Sequence, residues 1–551
     1  MDDLRIDEVT IISECVFPKH PSPQVQIRDG PVRGSITEFR EIKVLHFKGI
    51  PYAKPPVDKN RFLPPIKPDP WQIPINGSKY GSSCKQPLKW ASSNEDCLYI
   101  NVFVAEKSFY EQKNLSVMFL IHGGWFLFGS GNLAGEMHPD PLVAIHNIVL
   151  VSFNYRLGVY GFFHAGGDVA TEIRPNLGFR DQIFALQWVQ DNIRYFGGDP
   201  SEVTIFGYSS GAESIGLHLL ASVSRDLFKY AIMESGAPWY GNNKRSEVIS
   251  SSRDIIGHFG CSGQSDILSC LQKADTDELM MNSTTDALNE NPLISVFRPI
   301  FGDDLLPLTT SHALRTGTFN MGKNLLVGIE KDDVAFIIKY KSFHWMKNFT
   351  YDQAVEGMKI FTRKPGTQFF TEHYLNPHKN GNFGEIERTI LNFANDLYFE
   401  CPTYVFAGLL ANQTQGTQPS VYAYWHTQKP KTSTVCGNIP EAGACHTDEL
   451  PFIFGAPLRQ PGLYSKEDVE LSGRMMNIWV HFAKTGDVPP QGPVDWPSLG
   501  SEQKGNYLME LNSRRIGVLH HEKFDFCITN WRHFHQFHDP DSINEYNHQK
   551  R

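Results

Sequence analysis

Val203-Thr204-Ile205-Phe206-Gly207-Tyr208-Ser209-Ser210-Gly211 is the stretch on which the reading of this chain turns. A short apolar, β-branched run leads directly into the pattern Gly-x-Ser-x-Gly, and Ala212 to Leu220 then reads as a helix. A sharp strand-to-helix turn lifts a serine out of a sheet in a strained conformation, and its flanking glycines let neighbouring backbone approach closely. The helix that follows aims its N-terminal dipole at the negative charge that develops in acyl transfer. The five-residue pattern by itself is weak, because Gly and Ser are common and such matches fall in loops. The strand ahead of it and the helix behind it give it weight, and Ser209 is the candidate nucleophile.

Working outward, similar apolar runs occur at 100–104 (INVFV), 116–121 (SVMFLI), 148–153 (IVLVSF) and 324–329 (NLLVGI). Such runs suit strands buried on both faces of a mostly parallel sheet. Between two of them Ile183, Leu186, Val189 and Ile193 recur at helical spacing, and Gly197-Gly198 stops that helix. Strand, helix, glycine stop and strand make a βαβ pattern, so the expected class is α/β. Ile121-His122-Gly123-Gly124-Trp125-Phe126 closes one apolar run ahead of the serine. It is close to the His-Gly-Gly-Gly loops whose backbone N–H groups build oxyanion holes. Downstream, Lys331-Asp332-Asp333 follows the run NLLVGI, and His446 precedes Thr447-Asp448-Glu449. An aspartate after a strand, or one of 21 histidines, means little alone. The order Ser…Asp…His is informative because it differs from the two common serine-protease orders.

Composition narrows the classes. The chain has 551 residues, 41% hydrophobic and 20% charged, enough to bury a large core. A net charge of −9 argues against a nucleic-acid partner, whose binding needs clustered Lys and Arg. No apolar stretch is long enough to span a bilayer, since the best, Leu115 to Gly131, is broken by His122 and glycines. The opening MDDLRIDEVTIISECVF lacks the basic and apolar regions of a signal peptide, so none is expected there. Nine cysteines and the sequons at Asn76, Asn114, Asn282, Asn348 and Asn412 suggest a secretory or extracellular protein, in conflict with that opening, and the compartment stays open. His533, His535 and His538 are close enough to suggest a metal site, but surface or interface histidines are the expectation, and no metal or organic cofactor is expected. Residues 1–25, ending at the Pro-rich PKHPSP, read as an extension before a single domain over 26–551.

These residues resemble the type-B carboxylesterases, the family that includes the cholinesterases. The likeness runs from about Gly30 to Cys527. Its most specific stretches are Glu95-Asp96-Cys97-Leu98-Tyr99-Ile100-Asn101-Val102, Asn154-Tyr155-Arg156-Leu157-Gly158 and Phe196-Gly197-Gly198-Asp199-Pro200. The resemblance implies an α/β-hydrolase fold with a large, mostly parallel sheet, and a carboxylic ester hydrolase acting through a serine acyl-enzyme on a small-molecule ester. It implies Ser209 as nucleophile, His446 as general base and acid, and Asp333 as the acid orienting His446, with Asp332 as rival. Gly124, Trp125 and Ser210 would supply the oxyanion-hole N–H groups, and Glu449 matches an acidic position usual in the family. It also implies disulfides Cys84–Cys97, Cys261–Cys270 and Cys401–Cys527; Cys436–Cys445 is a candidate fourth, leaving Cys15 as the odd thiol. The chain departs from the family at Trp125, where a third glycine is usual, and at Tyr208, where a glutamate is usual. Transfer of the acyl group to an alcohol or sugar, or a non-catalytic adhesion or binding role on the same fold, are the alternatives. A monomer or homodimer is expected.

Overall fold

A computed structural model describes residues 22–87, 93–238, 245–290, 296–320, 322–335, 350–361, 364–413, 420–437, 439, 442–492, 494–500, 507–520 and 522–538. Its centre is an 11-stranded sheet. In chain order the strands are β1 (Ser35–Phe39), β2 (Ile42–Pro51), β3 (Tyr99–Ala105), β4 (Leu115–Ile121), β5 (Val149–Phe153), β6 (Gly198–Tyr208), β7 (Tyr230–Glu234), β8 (Leu325–Glu330), β9 (Val421–His426), β10 (Tyr507–Leu511) and β11 (Gly517–His520). Across the sheet they run β11-β10-β9-β8-β7-β6-β4-β5-β3-β2-β1. Every pair from β10 to β5 is parallel. Antiparallel pairing is confined to the two edges, through β11 on one side and β3, β2 and β1 on the other.

The apolar runs are strands because both faces of the sheet are covered. In β4, Val117, Phe119 and Ile121 join one buried layer with Val203, Ile205, Met233 and Val327. Met118 and Leu120, pointing the other way, join Phe206, Ile232 and Leu326. Successive strand residues point to opposite faces, so two apolar layers require an unbroken apolar run. Helix α1 (Leu177–Asn192) buries Leu186 and Val189 in the first layer, and α2 (Ser210–Leu220) adds Ile215 and Leu219. Helix α3 (Lys466–Thr485) fills the second with Met475, Trp479 and Phe482. The stop after α1 falls where expected: a short 3-10 turn, Ile193–Phe196, ends on Gly197 at φ 81°.

Because β4, β6, β8 and β9 are parallel, their C-terminal ends lie on one edge of the sheet, the edge where open α/β sheets bind ligands. A short strand, Gln24–Gln26, pairs with Pro31–Arg33. Cysteines 84–97, 261–270, 401–527 and 436–445 are joined, with Cα separations of 4.8, 5.8, 5.0 and 6.1 Å, within the ordinary disulfide range. Cys15, Asn348 and the side chains of His533, His535 and His538 lie outside the described residues. No helix among the described residues is long and apolar enough to cross a membrane.

Candidate active site

The end of β6 makes the turn that its sequence predicts. Ser209 caps α2 at φ 57° and ψ −128°, a conformation that costs a non-glycine residue on the order of 1–3 kcal/mol. The surroundings hold it there: Ser209 N–H donates to Glu234 O at 2.8 Å, and Glu213 N–H donates back to Ser209 O at 3.0 Å. The elbow glycines are needed for close approach. A Cβ at Gly207 or Gly211 would sit 2.3 or 2.1 Å from the carbonyl oxygen of Ile121.

The loop after β4 reaches the same point. A Cβ on Gly123 would stand 2.8 Å from Ser209 Cβ, so this loop lies directly on the serine. Gly124 has φ 115°, and its carbonyl accepts the N–H groups of Leu127 at 2.9 Å and Phe128 at 3.0 Å. Trp125 and Phe126 follow, both left-handed at φ 54° and 57°. The Phe126 N–H donates to Ser210 Oγ at 3.3 Å, tying loop to helix. Ser210 is the first residue of α2, so its own N–H has no acceptor within the helix. The Trp125 ring meets Phe128 edge-on at 5.5 Å. His122 stacks on Tyr155 at 4.5 Å, and burial pulls its pKa down to about 4, so it stays neutral and structural.

Asp333, three residues beyond β8, is fully buried. Its Oδ1 lies 2.8 Å from His446 Nδ1. Its Oδ2 accepts from the Ser235 hydroxyl and the Glu330 N–H, each at 2.9 Å. Asp332 faces elsewhere: it pairs with Arg388 at 2.7 Å and accepts the Gly443 N–H at 2.6 Å. Sequence left these neighbours as rivals, and only Asp333 meets the histidine. The His446 ring packs on Phe399 at 4.7 Å between centroids.

Behind Asp333 lies a group of carboxyls of which sequence reading picked out only Glu449. Glu234, Glu330 and Glu449 are all fully buried. Glu234 accepts from Trp479 Nε1 at 2.5 Å, and burial raises its pKa to about 8. Glu330 lies 2.5 Å from His426 Nδ1; burial and then the neighbouring carboxyls push Glu330 well up, while burial takes His426 down to about 3. Glu449 is pushed up in the same way, with burial the largest cause and Glu234 next. Glu234 thus keeps its proton at neutral pH, and Glu330 and Glu449 are shifted toward their neutral forms, so the back of the site carries less negative charge than its glutamates suggest. Tyr208, in the usual glutamate position, is pushed up to about 12 by burial and remains a neutral phenol.

Among the described residues no group of three or more His, Cys, Asp or Glu side chains is arranged to hold a metal ion. Residues 21–527 match the model of the carboxylesterase family. The acetylcholinesterase of Bungarus fasciatus is 30% identical over 93% of this chain and 86% of its own length. That of Electrophorus electricus is 30% identical over 93% of this chain and 88% of its own length. The strand-elbow-helix serine, the His446–Asp333 contact and a match spanning nearly the whole sequence all agree: the chain belongs to the carboxylesterase family of ester-hydrolysing α/β hydrolases.

Proposed function

We propose that the protein cleaves a small carboxylic ester through an acyl-enzyme on Ser209. A neutral hydroxyl is a poor nucleophile until an imidazole takes its proton. With Nδ1 hydrogen-bonded to Asp333, His446 keeps the tautomer in which Nε2 is the base. Ser209 Oγ attacks the ester carbonyl as His446 accepts its proton. The tetrahedral oxyanion takes hydrogen bonds from the N–H groups of Gly124, Trp125 and Ser210, each worth about 3–4 kcal/mol of barrier. His446 then protonates the leaving alcohol, and water repeats the sequence on the acyl-enzyme to release the acid and restore Ser209. The observation that carries this reading is the buried Asp333–His446 contact together with a serine held at positive φ in the strand-to-helix elbow.

The four disulfides support folding in an oxidising, secretory compartment. A fluorophosphonate label followed by peptide mapping tests the mechanism. Label is expected on Ser209 alone, and Ser209→Ala is expected to lose both labelling and ester turnover while melting as the native protein does. Normal turnover by that variant would sink the reading.

A further inference from the structure

Glu213 and Arg298 form a buried ion pair to which the mechanism above gives no role. Glu213 lies four residues after Ser209, on the same face of α2. Its side chain is 13% exposed and that of Arg298 is 2% exposed. Arg298 Nη2 donates to both carboxylate oxygens of Glu213, at 2.8 and 2.6 Å. The guanidinium also lies over the ring of Phe126, with Cζ 5.4 Å from its centroid. Phe126 belongs to the loop after β4, and its N–H is the one bonded to Ser210 Oγ. The contacts close into a circuit: loop to Ser210, Ser210 along the helix to Glu213, Glu213 to Arg298, and Arg298 back onto the loop. Burying two charges this way is seldom more stabilising than apolar packing of equal volume, whereas it does select one geometry.

We propose that Glu213 and Arg298 are positioning residues that lock the oxyanion loop onto the nucleophile helix as a charge-balanced pair. The proposal rests on the acyl-enzyme reading above. Burial pushes the Glu213 carboxyl up, Arg298 pulls it back, and His446 is the further positive partner that it feels. Among the described residues, the titratable and charged groups around this point include Asp333 from beyond the end of β8, Glu213 from α2, Arg298, and Tyr155, whose phenol Glu213 helps to push up. Glu449, on the His446 segment itself, faces Glu234, Glu330 and Asp333, and Phe399 offers His446 only a ring. Separating Glu213 from Arg298 leaves one uncompensated charge at the position four residues after Ser209.

The test measures kcat and KM for a short ester from pH 5 to 9 on the full chain, with melting temperature and fluorophosphonate labelling. Glu213→Gln leaves the guanidinium uncompensated, disfavours the imidazolium, and moves the acid limb of kcat/KM to lower pH by about one unit. Arg298→Met leaves the carboxylate bare and moves the limb to higher pH by a similar amount. The double variant E213Q/R298M restores the limb, yet lowers kcat by roughly 10-fold or more at nearly constant KM, because the oxyanion loop is released. It also carries the test should either single variant fail to fold. Arg298→Lys keeps the charge and the limb while losing the planar stack on Phe126, so kcat falls. A limb that stays in place, or moves the same way in both single variants, overturns the proposal, as does native kcat in the double variant. Failure of the underlying reading looks different, since the native protein itself would then not label at Ser209.

Discussion

Asp332 and Asp333 are chemically identical neighbours with separate partners. Asp333→Asn breaks the hydrogen-bond pattern that sets the His446 tautomer, and kcat is expected to fall by roughly 10⁴-fold with the fold retained. Asp332→Asn disturbs only Arg388 and the Gly443 N–H, so kcat stays within about threefold and the melting temperature drops. Equal losses of activity in the two variants would reverse the assignment. Trp125 offers a second test. Its indole stands half-buried beside Gly124, packed edge-on against Phe128, on backbone at φ 54°. Glycine tolerates that backbone better than tryptophan, so Trp125→Gly removes volume beside Gly124 without straining the loop. We expect kcat/KM for long or branched acyl esters to rise relative to acetyl esters by about 10-fold. Unchanged acyl selectivity would mean that the ring does not border the acyl group.

At the scale of elements, the elbow works because β4 and β6 are neighbours in register, Gly207 opposite Ile121, with no room for a side chain between them. Gly211→Ala would drive a methyl into the Ile121 carbonyl, and loss of labelling together with poor folding is expected. The same adjacency explains what sequence could show. The strands around the nucleophile announce themselves because both faces are buried and every residue is apolar. The strand Val421–His426 has the same burial, yet its Tyr-Ala-Tyr-Trp-His pattern mixes small, aromatic and polar residues and hides it. Ser209 stood out by its local motif, whereas Asp333 and His446 were read from the Ser…Asp…His order and the family resemblance. Glu213 and Arg298 were not legible, since they are 85 residues apart and neither lies in a motif of its own. Glu234 and Glu330 escaped for a related reason: each ends a strand, and only the packed sheet shows that both act on Glu449 behind Asp333.

Over the whole molecule, buried acids set the pH response. Glu234 titrates near pH 8 and Asp448 near pH 7 in the fold, both raised first by burial, against ordinary values of 4.5 and 3.8. The folded state therefore holds protons that the unfolded chain has released. The stability they contribute is full below about pH 4 and is lost as pH rises through 7 and 8. The melting temperature is expected to fall by roughly a few degrees between pH 6 and 9, and Glu234→Gln should flatten that fall. A native curve rising across this window would contradict the buried-acid account. Peptide mapping without reduction is expected to recover the four cystines, and opening Cys401–Cys527, which spans 126 residues, should cost the most, about 4–5 kcal/mol. Recovery of all eight as free thiols from natively expressed protein would remove the case for an oxidising compartment. The cystine 436–445 has a different consequence, for it ends on the residue just before His446. Ribosomes deliver the serine first, the aspartate next and the histidine last, and the histidine's own tether is then closed by oxidation. Under the mechanism proposed above, a newly made chain can thus hold Ser209 in its elbow while His446 is still untethered, so an active-site label is expected to count matured molecules and not translated ones.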